Sequence, residues 1–209
     1  MLNQYLQSTF YFNFEHPNIQ SEIQEFKVLA SDQAKIEQWY IHVRDHWRYN
    51  PYVIVLDEAA FQASYIAQKE AAHCIDKAIL YITGLRALNI PARLRLAKVS
   101  NHIAAENLIN TLGSNEIAPH GLVEVFHQNQ WTKCSPAFNK TLCERYEVDV
   151  LEYNGTKDSV MQEFNRHQDK FMEYLEDYGS FSDVPIEFIK STFEANYPTL
   201  YKAYQKEQS

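Results

Sequence analysis

The sequence predicts an α+β fold in which one buried helix packs against an antiparallel sheet. Three observations lead to this class. Over residues 75–88, apolar side chains recur at spacings of three and four, as on the buried face of a helix. Residues 92–99 then alternate between apolar and polar side chains, as a half-buried strand does. A second alternating run at 120–126 is followed by a short turn and a return strand at 131–135, which is typical of a hairpin.

The chain before this core is expected to be mainly helical. Pro17 marks a turn into a short helix, and Ser31 can cap a longer one over 31–49, where apolar residues share one face. The apolar run 52–56 is expected to be extended. Residues 58–73 are interpreted as helix or loop, and they lead into the central helix.

The end of the central helix and the rest of the chain carry their own signals. The helix is expected to stop at Asn89, because asparagine often takes the left-handed conformation that ends helices. Pro91 cannot continue the helix. A polar segment separates the first two strands. From Lys140 onward the sequence is mixed, with a helical stretch over 187–206 that Pro198 interrupts.

Size, charge and cysteine content limit which classes of protein and partner fit this sequence. The 209 residues, 45% hydrophobic and 22% charged, fit one domain over 1–209, with a core of about 31–140, a helical segment before it and a mixed or helical extension after it. The net charge of −8 argues against nucleic acid and against an anionic membrane as partners. We expect no leader peptide and no membrane span. The three cysteines, Cys74, Cys134 and Cys143, follow no disulfide or metal-binding spacing. This favours a reducing, cytoplasmic setting.

Cys74 lies at the first turn of the predicted central helix, where unpaired backbone N–H groups favour a thiolate. A helix terminus contributes roughly 0.3–1 kcal/mol, whereas lowering a thiol pKa from about 8.5 to about 4 needs about 6 kcal/mol. A reactive Cys74 therefore needs a cationic partner. His120 is the candidate because it opens the second strand, and a helix packed across the sheet can bring the two together as nucleophile and base.

Longer motifs surround these two residues. CIDKAILYITGLRALNIPARLRL is followed by HGLVEVF and then by WTKCSPAFN. This order resembles the transglutaminase-like superfamily, with its cysteine at a helix start, an LRALGIPAR run, a histidine strand and a return strand carrying Trp and Asp-Pro. Asn89 stands where that family usually has glycine. The stretch YNPY and the segments 136–146, 151–159 and 172–185 resemble its small bacterial members, so the resemblance covers most of the chain.

The resemblance implies a papain-like core and a Cys-His-Asp triad. By position, Cys74 is the nucleophile and His120 the base, and the third position falls on Ser135. Serine can accept a hydrogen bond from imidazole, but it cannot stabilise imidazolium by charge. The alternatives for this position are Asn139, Asp149 and Asp158. Cys134 and Cys143 are expected to be structural.

The resemblance also implies acyl transfer from an amide or peptide substrate through a Cys-His thiolate, without cofactor or metal. The oxyanion would lie on the Cys74 backbone N–H and one further donor, for which Gln68 has the offset of the papain-like oxyanion glutamine. Water as acceptor gives an amidase or peptidase, and a primary amine gives a crosslinking enzyme. A metal site from His73, Cys74 and His120 is disfavoured, because no ligand pair has a short spacing.

A second class of function stays open. The chain could be a catalytically weak or inactive binding module with this fold, and Ser135 in place of Asp is the sign for it. Retention of both Cys74 and His120 favours the enzyme. A separation beyond hydrogen-bond reach, with no third partner on His120, would favour the binding module.

Overall fold

In the computed structural model, which describes residues 2–207, a long buried helix packs against a four-stranded sheet. The helices are α1 (Pro17–Ile23), α2 (Asp32–His46), α3 (Ala63–Ile66), α4 (Cys74–Ala87), α5 (Ala105–Leu112), α6 (Lys140–Arg145), α7 (Ile186–Asn196) and α8 (Pro198–Glu207). The strands are β1 (Arg48–Tyr49), β2 (Ala71–Ala72), β3 (Ala92–Asn101), β4 (Glu116–His127), β5 (Gln130–Cys134) and β6 (Met172–Phe181). The predicted α+β class with a helix on an antiparallel sheet is confirmed.

The main sheet has the strand order β5-β4-β3-β6, and every neighbouring pair is antiparallel. Ala97 of β3 lies opposite His120 of β4, and Val123 of β4 lies opposite Cys134 of β5. The predicted hairpin is therefore present. A second, two-stranded sheet is parallel: β1 pairs with β2, and Tyr49 lies opposite Ala72. This small sheet connects the end of α2 to the residues just before α4.

Helix α4 forms the centre of the core because it is buried along nearly its whole length, between α2 and the sheet. Close packing against α2 needs Gly84, since a Cβ there would lie 2.2 Å from the Trp39 ring. The Trp39 indole donates to the Tyr81 carbonyl at 3.0 Å. As predicted, α4 ends with Asn89 in the left-handed region, at φ 62°.

Lys77 lies on α4 with no exposed surface. Its ammonium has three protons, and Nζ donates to the carbonyls of Arg44 at 2.7 Å, Trp47 at 2.9 Å and Ala137 at 2.8 Å. Burial lowers its pKa to about 7. Lys77 thus ties α4 to the end of α2 and to the chain that follows β5, and the sequence analysis did not single it out.

The structure adds elements that the sequence did not predict and confirms other expectations. Residues 52–56 pair with no strand, and Ile54 and Leu56 line the cavity beside the first residues of α4. The polar segment between β3 and β4 contains α5, and the mixed region contains β6. Ser31 caps α2 as expected, and Pro198 separates α7 from α8. None of the helices within 2–207 is both long and apolar enough to cross a bilayer.

Candidate active site

Cys74 is the first residue of α4, and this end of the helix packs directly on Gly121 of β4. A Cβ at Gly121 would lie 2.8 Å from the Ile75 Cα and 3.0 Å from the Cys74 carbonyl oxygen. Real side chains do not approach backbone so closely, so glycine at 121 permits the contact. The fold thereby holds Cys74 beside the strand residue that follows His120.

The Cys74 sulfur is surrounded by backbone N–H groups but not by solvent. The N–H groups of Gly121, Ile75 and Cys74 itself face the sulfur and lower its pKa. Burial acts in the opposite direction and is the largest effect, since Cys74 is only 4% exposed. The net result raises the pKa of the thiol to about 11. The expected thiolate paired with the imidazolium of His120 is therefore wrong for this state, because burial opposes the charged form of both groups.

His73 immediately precedes Cys74, and both of its ring nitrogens are engaged. Nδ1 caps α4 by accepting from the Ile75 N–H at 3.1 Å, and Nε2 lies 3.2 Å from the Asp76 carboxylate. Asp76 is itself paired with Lys69 at 3.0 Å. Burial lowers the His73 pKa. These contacts assign His73 to holding the helix start, which leaves it no free nitrogen to act as a base.

His120 differs from His73 because its ring has no hydrogen-bond partner in the part of the chain that the structure describes. It is 3% exposed, and its Nδ1 is buried without a hydrogen bond. Burial, followed by the nearby His73, lowers its pKa to about 4. His120 is therefore neutral at pH 7 and has a free nitrogen that can accept a proton. Within residues 2–207, no hydrogen bond joins its ring to the Cys74 thiol.

The residues predicted for the third position do not reach His120. Ser135 is buried, and its backbone N–H and C=O are used by Ser159 and Tyr40. Asn139 is also buried, but its amide oxygen accepts from the Tyr49 N–H at 3.0 Å. The structure brings both residues into the neighbourhood of β5 and α6 without a hydrogen bond to the imidazole.

The two acidic alternatives lie on the surface. Asp149 pairs with Arg166 at 3.1 Å, and Asp158 accepts from the Lys133 N–H at 2.8 Å. Both aspartates are exposed. In the described part of the chain, no carboxylate is hydrogen-bonded to His120, so burial rather than a third residue holds the ring.

The two hydrogen-bond donors predicted for the oxyanion differ in whether they are already bonded to another residue. The Cys74 N–H has no hydrogen-bond acceptor on another residue within the described chain, so it is available to a substrate. Gln68 is exposed, and its amide donates to the Ser64 carbonyl at 3.0 Å. The Gln68 side chain is therefore engaged at the surface.

A small apolar cavity of about 30 Å³ lies against the Cys74 thiol. Three parts of the chain close it: residues 49–56, the segment 112–119 before His120, and α7 with the residue that follows it. From the C-terminal part come Ile189, Phe193 and Tyr197. The cavity has room for about two water molecules. In this conformation Cys74 therefore faces a narrow space with mainly apolar walls.

Within the described residues, two buried polar atoms in this region have no hydrogen-bond partner: His120 Nδ1 and Tyr49 Oη. Such an atom costs about 1–3 kcal/mol of folding free energy while it stays unpaired, so each of the two favours a hydrogen bond with water or with a bound molecule. Sequence reasoning missed Tyr49 as a site residue, although YNPY was noticed as a shared motif. Within 2–207, no three His, Cys, Asp or Glu side chains converge as metal ligands would.

The raised thiol pKa predicts how Cys74 reacts with iodoacetamide. Only thiolate is alkylated, so the rate at Cys74 is expected to rise about tenfold per pH unit from pH 6 to pH 10. Peptide mass spectrometry after timed labelling measures this rate. In urea the labelling rate of Cys74 should stop rising near pH 8.5, because the unfolded thiol has an ordinary pKa of about 8.5. A flat profile for the folded protein from pH 6 to pH 9 would instead reinstate a resting ion pair with His120.

Comparisons with known proteins agree with this architecture. The family model of the transglutaminase-like superfamily matches residues 23–136, which is more than half of the chain and includes both Cys74 and His120. The fold is similar to the crystal structure of a "putative cysteine protease" from Cytophaga hutchinsonii, with a TM-score of 0.54 and 15% sequence identity. That similarity covers 90% of this chain and 49% of the other, so this chain spans about half the length of its structural neighbour. No curated protein matches the sequence.

Proposed function

Because the chain belongs to the transglutaminase-like superfamily, we propose that it is a cysteine-dependent acyl-transfer enzyme with Cys74 as nucleophile and His120 as general base. The observation that carries this proposal is the free, buried Nδ1 of His120, next in sequence to Gly121, whose N–H faces the Cys74 sulfur. The contact between α4 and β4 thus holds the proposed nucleophile beside Gly121, the residue that follows the proposed base.

The two pKa values decide the form of the mechanism. They lie at about 11 for Cys74 and about 4 for His120, so at pH 7 the pair rests as a thiol and a neutral imidazole. A separate proton transfer across about seven units costs roughly 10 kcal/mol. Proton transfer to His120 therefore accompanies attack of the sulfur on the carbonyl carbon.

The bond changes follow from this arrangement. As the S–C bond forms, the thiol proton moves to His120 and the carbonyl π pair moves to oxygen, where the Cys74 N–H stabilises the charge. Collapse of this intermediate expels the amine, which takes the proton back from the imidazolium and leaves a thioester on Cys74. Attack by water or by a second amine then releases the acyl group, with His120 as base again.

A second candidate is the catalytically weak binding module. Two observations favour it: the Cys74 thiol is not hydrogen-bonded to the imidazole, and His120 has no third partner. Catalytic hydrogen bonds often tighten only when substrate binds, so neither observation excludes the enzyme.

An ester substrate separates the two candidates. Incubation with p-nitrophenyl acetate is expected to release p-nitrophenolate and to leave an acetyl group on Cys74, which peptide mass spectrometry locates. Buried Cys134 and Cys143 serve as internal controls. The Cys74→Ala variant should lose both signals. Equal rates for this variant and the parent would reject the proposal in favour of the binding module. In a second experiment, transfer of the acetyl group to an added fluorescent amine would show that an amine can replace water as acceptor.

A further inference from the structure

Tyr49 is held by three separate contacts near the start of α4. In the small parallel sheet it lies opposite Ala72, two residues before Cys74. Its backbone N–H donates to the Asn139 side chain at 3.0 Å, and its ring meets Phe138 edge-on with centroids 5.0 Å apart. Such contacts fix the position of the ring before any substrate arrives.

The Tyr49 side chain and the Cys74 thiol line the same small cavity. Few other polar groups share it. Tyr197 Oη is fully used, since it accepts from the Ala118 N–H at 2.8 Å and donates to the Glu116 carbonyl at 2.7 Å. His73 is used in capping α4. The Tyr49 hydroxyl is buried and has no hydrogen-bond partner among residues 2–207, so its proton is available to a molecule bound in the cavity.

A hydroxyl buried without a partner destabilises a fold, and phenylalanine would fill the same volume without that cost. A substrate that supplies an acceptor during the reaction gives this hydroxyl a role. The Cys74 N–H is one oxyanion donor, and Gln68, the expected second donor, is engaged at the surface. A second hydrogen-bond donor to the oxyanion, beside the Cys74 N–H, therefore remains to be identified.

On the premise that Cys74 is an acyl-transfer nucleophile, we propose that Tyr49 is a catalytic residue whose hydroxyl donates a hydrogen bond to the oxyanion. As Cys74 attacks, the carbonyl oxygen gains charge and accepts from Tyr49 Oη and the Cys74 N–H together. Tyr49 keeps its proton throughout, so the bond changes in the acyl transfer are unaffected.

The phenol is suited to remain a donor. Burial raises the pKa of Tyr49 well above its ordinary value, and the nearby Cys74 raises it further. The hydroxyl therefore stays protonated over the working pH range. A donor fixed in a site that excludes water stabilises developing charge more strongly than the same group does in solution.

Two reactions of the same thiol test this role. Acylation by p-nitrophenyl acetate passes through an oxyanion, whereas alkylation by iodoacetamide attacks a saturated carbon and forms none. Tyr49→Phe is expected to slow acylation about 10²–10³-fold, the effect of losing one oxyanion donor, and to leave alkylation unchanged. Stopped-flow release of p-nitrophenolate and timed peptide labelling measure the two rates.

The controls make each outcome decisive. Tyr146→Phe, which removes a hydroxyl outside the Cys74 cavity, should change neither rate, and thermal unfolding should show that Tyr49→Phe is at least as stable as the parent. An equal loss of both rates, or no loss of acylation, overturns the role of Tyr49. If Cys74→Ala keeps the parent's acylation rate, the acyl-transfer function itself fails, which is a distinct result.

Discussion

Replacement of His120 by alanine is expected to lower the rate of Cys74 acylation at pH 7 by about 10²–10⁴-fold, the usual contribution of a general base. With the pKa of Cys74 at about 11, only a small fraction of the sulfur is ionised at neutral pH. On the proposed mechanism, the parent protein uses His120 to remove the proton during attack, whereas the variant must rely on preformed thiolate. Release of p-nitrophenolate from p-nitrophenyl acetate measures both rates.

The pH dependence of the two rates distinguishes this role from a structural one. His120 must be unprotonated to act as a base, and its pKa of about 4 means that the parent rate rises through pH 4 and is then nearly constant. The His120→Ala rate should climb tenfold per pH unit toward pH 11, so the two profiles converge at high pH. His167→Ala, which changes an exposed histidine, is the matched control. Parallel profiles for His120→Ala and the parent would rule out the base assignment.

Lys77→Met is expected to lower the free energy of unfolding by about 2–4 kcal/mol. Methionine fills a similar volume but leaves three buried carbonyls without their donor, at about 1–3 kcal/mol each. Relief from burying the ammonium offsets part of this loss. Urea unfolding monitored by tryptophan fluorescence measures the change. The exposed Lys202→Met provides the control and should be nearly neutral.

The Lys77 effect should also depend on pH. The folded pKa is about 7 and the ordinary value is 10.5, so between these values the unfolded chain carries a proton that the folded protein has released. Stability of the parent therefore rises with pH across this window, at a limiting slope of about 1.4 kcal/mol per unit. Lys77→Met lacks this gain, so its deficit should grow from pH 7 to pH 10. A deficit below 1 kcal/mol at all pH values would show that the three carbonyls do not depend on Lys77.

Features encoded by nearby residues could be predicted from the sequence. The apolar repeat of α4, its start at Cys74 and its stop at Asn89 depend on residues within one or two turns, and each is present. The β4–β5 hairpin is equally local. The edge strand β6 escaped detection because it carries exposed acidic residues such as Glu176, and its partner β3 lies far upstream.

The chemistry of the site could be predicted only in part. Cys74 and His120 come from motif order, and their catalytic roles remain predictions. The expected low thiol pKa rested on the helix terminus and on a cationic His120. Desolvation of the site opposes both charges, and it comes from segments distant in sequence, including α7. The same reason explains why Tyr49 and Lys77 were missed. Both become notable only when one knows which partners the fold supplies or withholds.

Helix α7 and Tyr197 form one wall of the cavity in front of Cys74, and this wall limits the size of molecule that can reach the sulfur. A space of about 30 Å³ admits no peptide or glutamine side chain beside the sulfur. On the proposed function, an acyl donor larger than this space reaches the sulfur only if the wall that includes Phe193 and Tyr197 shifts. Two backbone hydrogen bonds hold Tyr197 in that wall. If Cys74 acts as proposed, we therefore expect opening of this wall to limit the maximal velocity for large donors more than for small ones.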